Sequence, residues 1–226
     1  MITVHHLENS RSQRILWLLE ELAVDYEVRR YERDKATKLA PPELQDVHPL
    51  GKSPVITDGN LTIAESGAIV EYLVNKYDAG RLGPGPTERD KVDYSFWLHY
   101  AEGSVMPLML LSLFVGRIES AKMPFFVRPV ARGIAGKIRT AYLDENVARH
   151  LGFMNEVLSD SEWFCGETLT AADIQMSFPI EAAEVRTNLA QSYPHLDRFL
   201  QRARALPTYQ TALVKGGPYQ LMGAAD

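Results

Sequence analysis

The chain of 226 residues has a single cysteine, Cys165. One thiol cannot close an internal disulfide, so the fold does not rely on an oxidising compartment. Long apolar runs are scarce too. The longest, Val105 to Val115, holds Pro107 and Ser112 and is too short to span a bilayer. The N-terminus, Met1-Ile2-Thr3-Val4-His5-His6, has no basic segment followed by an apolar one, so it does not read as a signal peptide. There is no basic run and no basic–aromatic alternation, and the net charge is −5, which argues against a nucleic-acid partner. The six histidines show no metal-ligand spacing; His5 and His6 adjoin on a strand and face opposite ways. The expectation is a cytoplasmic protein with no metal and no membrane span.

What is present is ordinary for a globular protein: 46% hydrophobic and 23% charged residues. The length is comfortable for two small domains. Ile2 to His6 reads as a strand. Ile15, Leu18, Leu19 and Leu22 then recur at helical spacing, marking an amphipathic helix. Asp25 to Tyr31 reads as a second strand, so a parallel βαβ unit is expected. Leu39 to His48 is a loop or short irregular helix. Val55–Thr57 and Leu61–Ala64 pair around the turn Asp58-Gly59-Asn60. A helix over Ser66 to Tyr77 closes the unit, giving the order βαβ then ββα.

Asp78 to Pro86 (DAGRLGPGP) is dense in Gly and Pro and reads as a linker. Beyond it strand signals vanish. Thr87 and Asp90 form a capping box ahead of a long helix carrying Tyr94, Trp97, Leu98 and Ala101 on one face, with Pro107 expected to kink it. Further helices are expected near Pro124–Arg132, Arg139–Leu158, Ala171–Val185, His195–Ala205 and Pro207–Val214. A second capping box, Thr170 with Asp173, carries a hydrophobic staple of Leu169 and Ile174.

Three clusters could bind or react. In Gly51-Lys52-Ser53-Pro54-Val55, a Pro entering a strand tolerates a cis bond, which would turn the Ser53 main chain outward to pair with a peptide, while Lys52 could meet a carboxylate. An ordinary turn explains it equally. In Glu65-Ser66-Gly67, Ser66 is a natural N-cap and free N–H groups behind it suit a carboxylate; Glu65 suits an amine. In Asn9-Ser10-Arg11-Ser12, donors gather at the C-terminal end of the first strand, where open α/β sheets place ligands.

Each cluster alone is commonplace; their order on a βαβ-ββα frame is not. The segments Asn9–Leu22 (NSRSQRILWLLEEL), His48–Ile56 (HPLGKSPVI), Leu61–Leu73 (LTIAESGAIVEYL) and Leu169–Ile174 (LTAADI) resemble the glutathione transferase superfamily, over nearly the whole chain. The runs SRSQRILWLLEEL, APPEL, HPLGKSP and WLHYAEGS are most similar to its Gtt-like branch of fungi and bacteria. The resemblance implies a thioredoxin-like glutathione-binding domain over residues 1–79, a linker at 80–86 and an all-α domain over 87–226. It implies glutathione as co-substrate with no other cofactor, and a homodimer. By the same likeness Ser53, before cis-Pro54, pairs with the cysteinyl unit. Glu65 and Ser66 hold the γ-glutamyl end, and Lys52 meets the glycyl carboxylate. Thr170 and Asp173 match the superfamily's folding cap.

The implied activity is conjugation of the glutathione thiolate to hydrophobic electrophiles, a detoxifying reaction. Many relatives keep a Ser or Thr six positions before the first apolar residue of the helix. Here that slot holds Asn9, with Ser10 one later, so both are candidate sulfur donors. The first tyrosine, Tyr26, lies past the helix and cannot serve. Trp97, Tyr100 and Ser104 are the candidate electrophile pocket, although aromatic residues at helical spacing also suit a core. Glutathione-dependent disulfide reductase or peroxidase chemistry, and a non-catalytic binding protein on the same fold, are the alternatives. Cys165, in apolar company and away from the first turn, reads as a structural thiol.

Overall fold

In the computed structural model, which describes residues 1–221, the first strand, β1 (Ile2–Leu7), is buried along nearly all its length. Ile2 and Val4 serve the face toward the main core, Leu7 joins Tyr31 and Leu44 on the other face, and His5 and His6 alternate across the sheet. Helix α1 (Ser12–Leu22) returns the chain to β2 (Tyr26–Tyr31), which pairs with β1 in parallel, Ile2 opposite Tyr26. A five-residue helix, α2 (Glu43–Val47), precedes β3 (Val55–Asp58), and β4 (Leu61–Ala64) follows it. Strand β3 runs antiparallel to both β1 and β4, so the four-stranded mixed sheet has the order β2-β1-β3-β4. The hairpin between β3 and β4 is the two-residue loop Gly59-Asn60; Gly59 has φ +58°, a conformation glycine adopts at little cost. Helix α3 (Ser66–Tyr77) completes the expected order.

Helix α1 departs from the amphipathic expectation: nine of its eleven residues are buried. Its second face is covered by the helical half of the chain, chiefly α8 (Ala171–Glu184) and α11 (Pro207–Gly216). Trp17 meets Tyr209 edge-on, ring centroids 5.2 Å apart.

After the linker every regular element among the described residues is helical. Helix α4 (Glu88–Tyr100) starts at the Thr87–Asp90 capping box, with Asp90 N donating to Thr87 Oγ1 at 3.1 Å and Thr87 N to Asp90 Oδ2 at 3.0 Å. It runs through a π turn, Ala101–Val105, into α5 (Met106–Ser120). Pro107 stands in the first turn of α5, where the π turn has already broken the i→i−4 ladder that a proline would interrupt. The whole stretch Glu88–Ser120 forms one 33-residue helix of mean hydropathy up to 1.4. By length and composition alone it could cross a bilayer, contrary to the expectation from the short apolar run. Its buried residues, including Val105, Leu108, Met109 and Val115, instead belong to the core shared with α8.

The return helix repeats the design: α6 (Arg128–Ile138), a π turn at Arg139–Leu143, then α7 (Asp144–Asp160). Helices α5 and α6 pack as a hairpin. The short α9 (Leu189–Ser192) and α10 (Pro194–Ala205) lead into α11. Helix α8 is the axle of this half, buried at thirteen of its fourteen positions. The Asp173 carboxylate at its start accepts from Phe164 N (2.7 Å), Thr170 N (2.8 Å) and Thr170 Oγ1 (2.7 Å). Burial pushes the Asp173 carboxyl up to about 6, against the pull of those donors.

Candidate active site between sheet and helices

The Ser53–Pro54 peptide bond is cis. Beyond the last β1–β3 pair, His5 with Val55, the Ser53 side chain continues the link. Its Oγ donates to His5 O at 2.8 Å and accepts from Leu7 N at 3.2 Å. The side chain is thereby fixed inward on β1, which leaves the Ser53 main chain at the sheet's end, outside the ladder. Lys52 beside it is exposed.

The Glu65–Ser66 pair departs from the expected cap. Ser66 is the first residue of α3, and the N-cap position falls on Glu65, which takes φ +70°. A non-glycine residue in that region is strained by roughly 1–3 kcal/mol and is held there by its surroundings. Ser66 is buried, and its Oγ accepts from Arg14 Nη2 at 2.8 Å instead of capping the helix. Sequence reasoning missed Arg14. This guanidinium is almost fully enclosed and donates also to Gln175 O at 2.6 Å and to Glu102 Oε1. Arg11 Nε reaches both oxygens of Glu102, at 3.0 and 3.1 Å. Both guanidinium groups lie over the Phe178 ring, at 5.3 and 5.4 Å. Burial alone would raise the Glu102 carboxyl, but the charges of Arg14 and Arg11 outweigh it and hold it below the usual range. One signal was available: Arg14 shares a face with Trp17 and Leu18, and a charge on an apolar stripe needs a buried partner.

At the β1–α1 turn, Asn9 has φ +51° and its Oδ1 accepts from Gln220 N at 2.6 Å, so the end of the described chain is tied over this turn. Tyr219, next to it, donates to the buried Glu181 carboxylate at 2.6 Å, as does Tyr209. Ser10 is buried. Its Oγ lies 2.8 Å from Ser12 Oγ and accepts from Ser12 N at 3.3 Å. Ser12 Oγ in turn is 2.8 Å from His6 Nδ1. Burial, aided by the Arg30 charge, lowers the His6 ring to about 4, although the Gly216 carbonyl pulls the other way. The ring is therefore neutral at pH 7. A neutral ring has one nitrogen free to accept, and Nδ1 in that role takes the hydrogen of Ser12 Oγ, which also lies 3.4 Å from Leu7 O. In that arrangement the Ser10 hydroxyl donates to Ser12 Oγ.

A cleft of about 970 Å³ opens beside this turn. Glu8, Asn9 and Arg33 form its floor; Met109, Ser112, Leu113 and Gly116 of α5, with Val147 of α7, form its helical wall. The expected pocket residues are elsewhere. Trp97 stacks on Phe153 (5.5 Å) and meets Phe164 (4.5 Å), and Tyr100 hydroxyl lies 2.5 Å from His150 Nδ1. Both belong to an aromatic core, and neither they nor Ser104 line the cleft. The π turn, which holds Ser104, separates Trp97 and Tyr100 from the cleft-facing part of the same helix. Cys165 is half-buried, and burial together with the Asp173 carboxylate pushes its thiol up to about 12, so it is no nucleophile at neutral pH.

Comparison with known proteins agrees with this geometry. Residues 1–75 match the family model "Glutathione S-transferase, N-terminal domain", and residues 117–207 match "Glutathione S-transferase, C-terminal domain". The chain belongs to the glutathione S-transferase family. It is 39% identical to "Glutathione S-transferase 3" of Schizosaccharomyces pombe over 221 residues, covering 95% of this chain and 88% of the relative. It is 33% identical to "Glutathione S-transferase 1" of Saccharomyces cerevisiae, covering 95% of each. These relatives agree with the Gtt-like fungal branch. Among solved structures, a glutathione S-transferase from Actinobacillus pleuropneumoniae superposes with TM-score 0.80 at 34% identity, covering 96% of this chain and 93% of that one. The chain is thus a glutathione transferase, with glutathione as its co-substrate.

Proposed function

We propose that this enzyme binds glutathione along the end of β3 and the start of α3 and conjugates its thiolate to a hydrophobic electrophile held in the cleft. In this reading residues 1–79 form the glutathione domain, 80–86 the linker, and 87–226 the helical domain that supplies the electrophile wall. Lys52 meets the glycyl carboxylate, the Ser53 main chain beside Pro54 pairs with the cysteinyl unit, and Glu65 with Ser66 receives the γ-glutamyl end. The enzyme works as a cytoplasmic, detoxifying homodimer; the exposed Val92, Phe96 and Phe153 offer an apolar face for the second subunit.

The observation that carries the mechanism is the chain Ser10–Ser12–His6 at the head of α1. A free thiol with a pKa near 8.5 is only about 3% ionised at pH 7, and lowering it by about two units takes roughly 2.7 kcal/mol. One charge-assisted hydrogen bond plus a helix N-terminus supplies that order. Ser12 N and Ser12 Oγ hold Ser10 Oγ in place, and a thiolate, being the stronger acceptor, draws the Ser10 hydrogen away from Ser12. The sulfur then attacks the electrophilic carbon, the leaving group departs with its electron pair, and no covalent enzyme intermediate forms.

Ser10→Ala is expected to lower kcat with a model aryl halide about 100-fold, the scale of removing one donor to a reacting anion, while calorimetry still reports glutathione binding. Unchanged turnover would overturn the role of Ser10 and transfer it to Asn9, whose side-chain amide N–H is the other donor at this turn. Comparing an aryl halide, a hydroperoxide and a glutathionyl disulfide as substrates separates conjugation from peroxidase and reductase chemistry.

A further inference from the structure

The end of the α5–α6 hairpin carries an apolar surface that the core does not use. On α5, Leu110, Phe114 and Ile118 stand a turn apart and are all exposed. In the connection Phe125 and Phe126 are 81% and 67% exposed, packed only edge to face on each other at 5.6 Å. On α6, Val130 and Ile134 continue the exposed row. This surface sits at the end of the hairpin, on both helices and the connection between them.

Its charge is as unusual as its hydropathy. The chain holds 29 acidic residues, yet none lies between Ser120 and Ile138. That stretch contains Lys122, Arg128, Arg132 and Lys137, all exposed. The nearest acid, Glu119, is taken by Arg139, with paired bonds of 2.8 Å. A protein of net charge −5 therefore presents a basic apex, with only Glu119 near Arg132 to offset it, and that apex is studded with phenylalanine.

We infer that the α5–α6 apex docks on an anionic lipid surface, Phe125 and Phe126 entering the headgroup–acyl boundary and Lys122, Arg128, Arg132 and Lys137 meeting lipid phosphates. Aromatic rings beside cations are the combination that holds a protein at a bilayer interface. A symmetric contact with a second copy is disfavoured, because it would press like-charged apices together. The hairpin also lines the cleft through Gly116, Arg117, Ser120 and Arg139, so docking sets the cleft mouth at the membrane. Resting on the proposed conjugation, this gives the enzyme access to electrophiles that partition into lipid. Helix Glu88–Ser120 does not insert; its buried face remains in the core.

The test is flotation of the full chain with vesicles of phosphatidylcholine alone and of phosphatidylcholine with phosphatidylserine. Binding to the anionic vesicles is expected, weakening as salt is raised. The double substitution Phe125→Ser with Phe126→Ser, and separately Arg128→Glu with Arg132→Glu, are each expected to reduce it by about tenfold or more. Turnover of a water-soluble aryl halide is expected to stay unchanged in both, which separates this inference from the conjugation mechanism. Absence of binding to anionic vesicles, or equal binding by wild type and both variants, overturns the proposal. So does a fall in solution mass in the Phe variant without vesicle binding, which would make the apex a subunit contact.

Discussion

On the sheet side of the cleft, polar groups are buried and tied to one another; at the end of the hairpin, apolar groups are exposed and touch chiefly each other. Ser10, Ser12, His6, Arg14 and Ser66 are all under 7% exposed, and each has a partner within hydrogen-bond distance. At the hairpin, Phe125 and Phe126 face solvent. The first arrangement holds polar groups in fixed positions, at the cost of desolvating charge. The second leaves a surface free for contact and contributes little to the fold. A residue's chemical type therefore says less about its task than the company the tertiary structure gives it.

This contrast can be broken most sharply at Arg14. Arg14→Ala would leave the Glu102 carboxylate and the buried Ser66 hydroxyl short of a donor, and a loss of about 3–5 kcal/mol in urea unfolding is expected. Arg14→Lys should recover only part, since one ammonium cannot fork toward Ser66, Gln175 and Glu102 together. A loss under about 1 kcal/mol in Arg14→Ala would mean that the buried network is dispensable.

A smaller effect tests His6. The folded ring titrates near 4, whereas in the unfolded chain it has its ordinary value of 6.5. Between those values the unfolded state binds the extra proton, so stability rises with pH and is lost as pH falls through the window. The contribution is on the order of 3 kcal/mol. His6→Asn should flatten the stability–pH slope between those limits, measured as unfolding midpoints against pH; an unaltered slope would contradict the neutral ring on which the Ser12 bond depends. Smallest is Thr170→Val, expected to cost about 1–2 kcal/mol through the lost bond to Asp173, with kcat unchanged if that box serves folding alone.

The element order of the sheet half was legible in the sequence because its elements are bounded by local signals, the Asp58-Gly59-Asn60 turn and the Gly–Pro linker; the place of β3 beside β1 carries no such signal. The three polar clusters were visible as well. Their partners were not. Ser66 looks like a cap in sequence, since a hydroxyl before an apolar run fits one; only Arg14, fifty-two positions earlier, claims it. Trp97 and Tyr100 looked like pocket walls, but their stacking partners Phe153, Phe164 and His150 arrive from beyond the hairpin. Contacts at such separation leave no periodic trace.

The π turn at Ala101–Val105 explains how one helix serves both regions. An α-helix advances about 100° per residue, so one extra residue rotates everything downstream by about that angle. Ahead of the turn, Trp97 and Tyr100 face the aromatic core; past it, Met109, Ser112, Leu113 and Gly116 face the cleft. Glu102, within the turn, is swung toward Arg11 and Arg14. The turn acts as a phase shifter, and removing a single residue from it would keep the helix while turning its cleft-facing residues elsewhere.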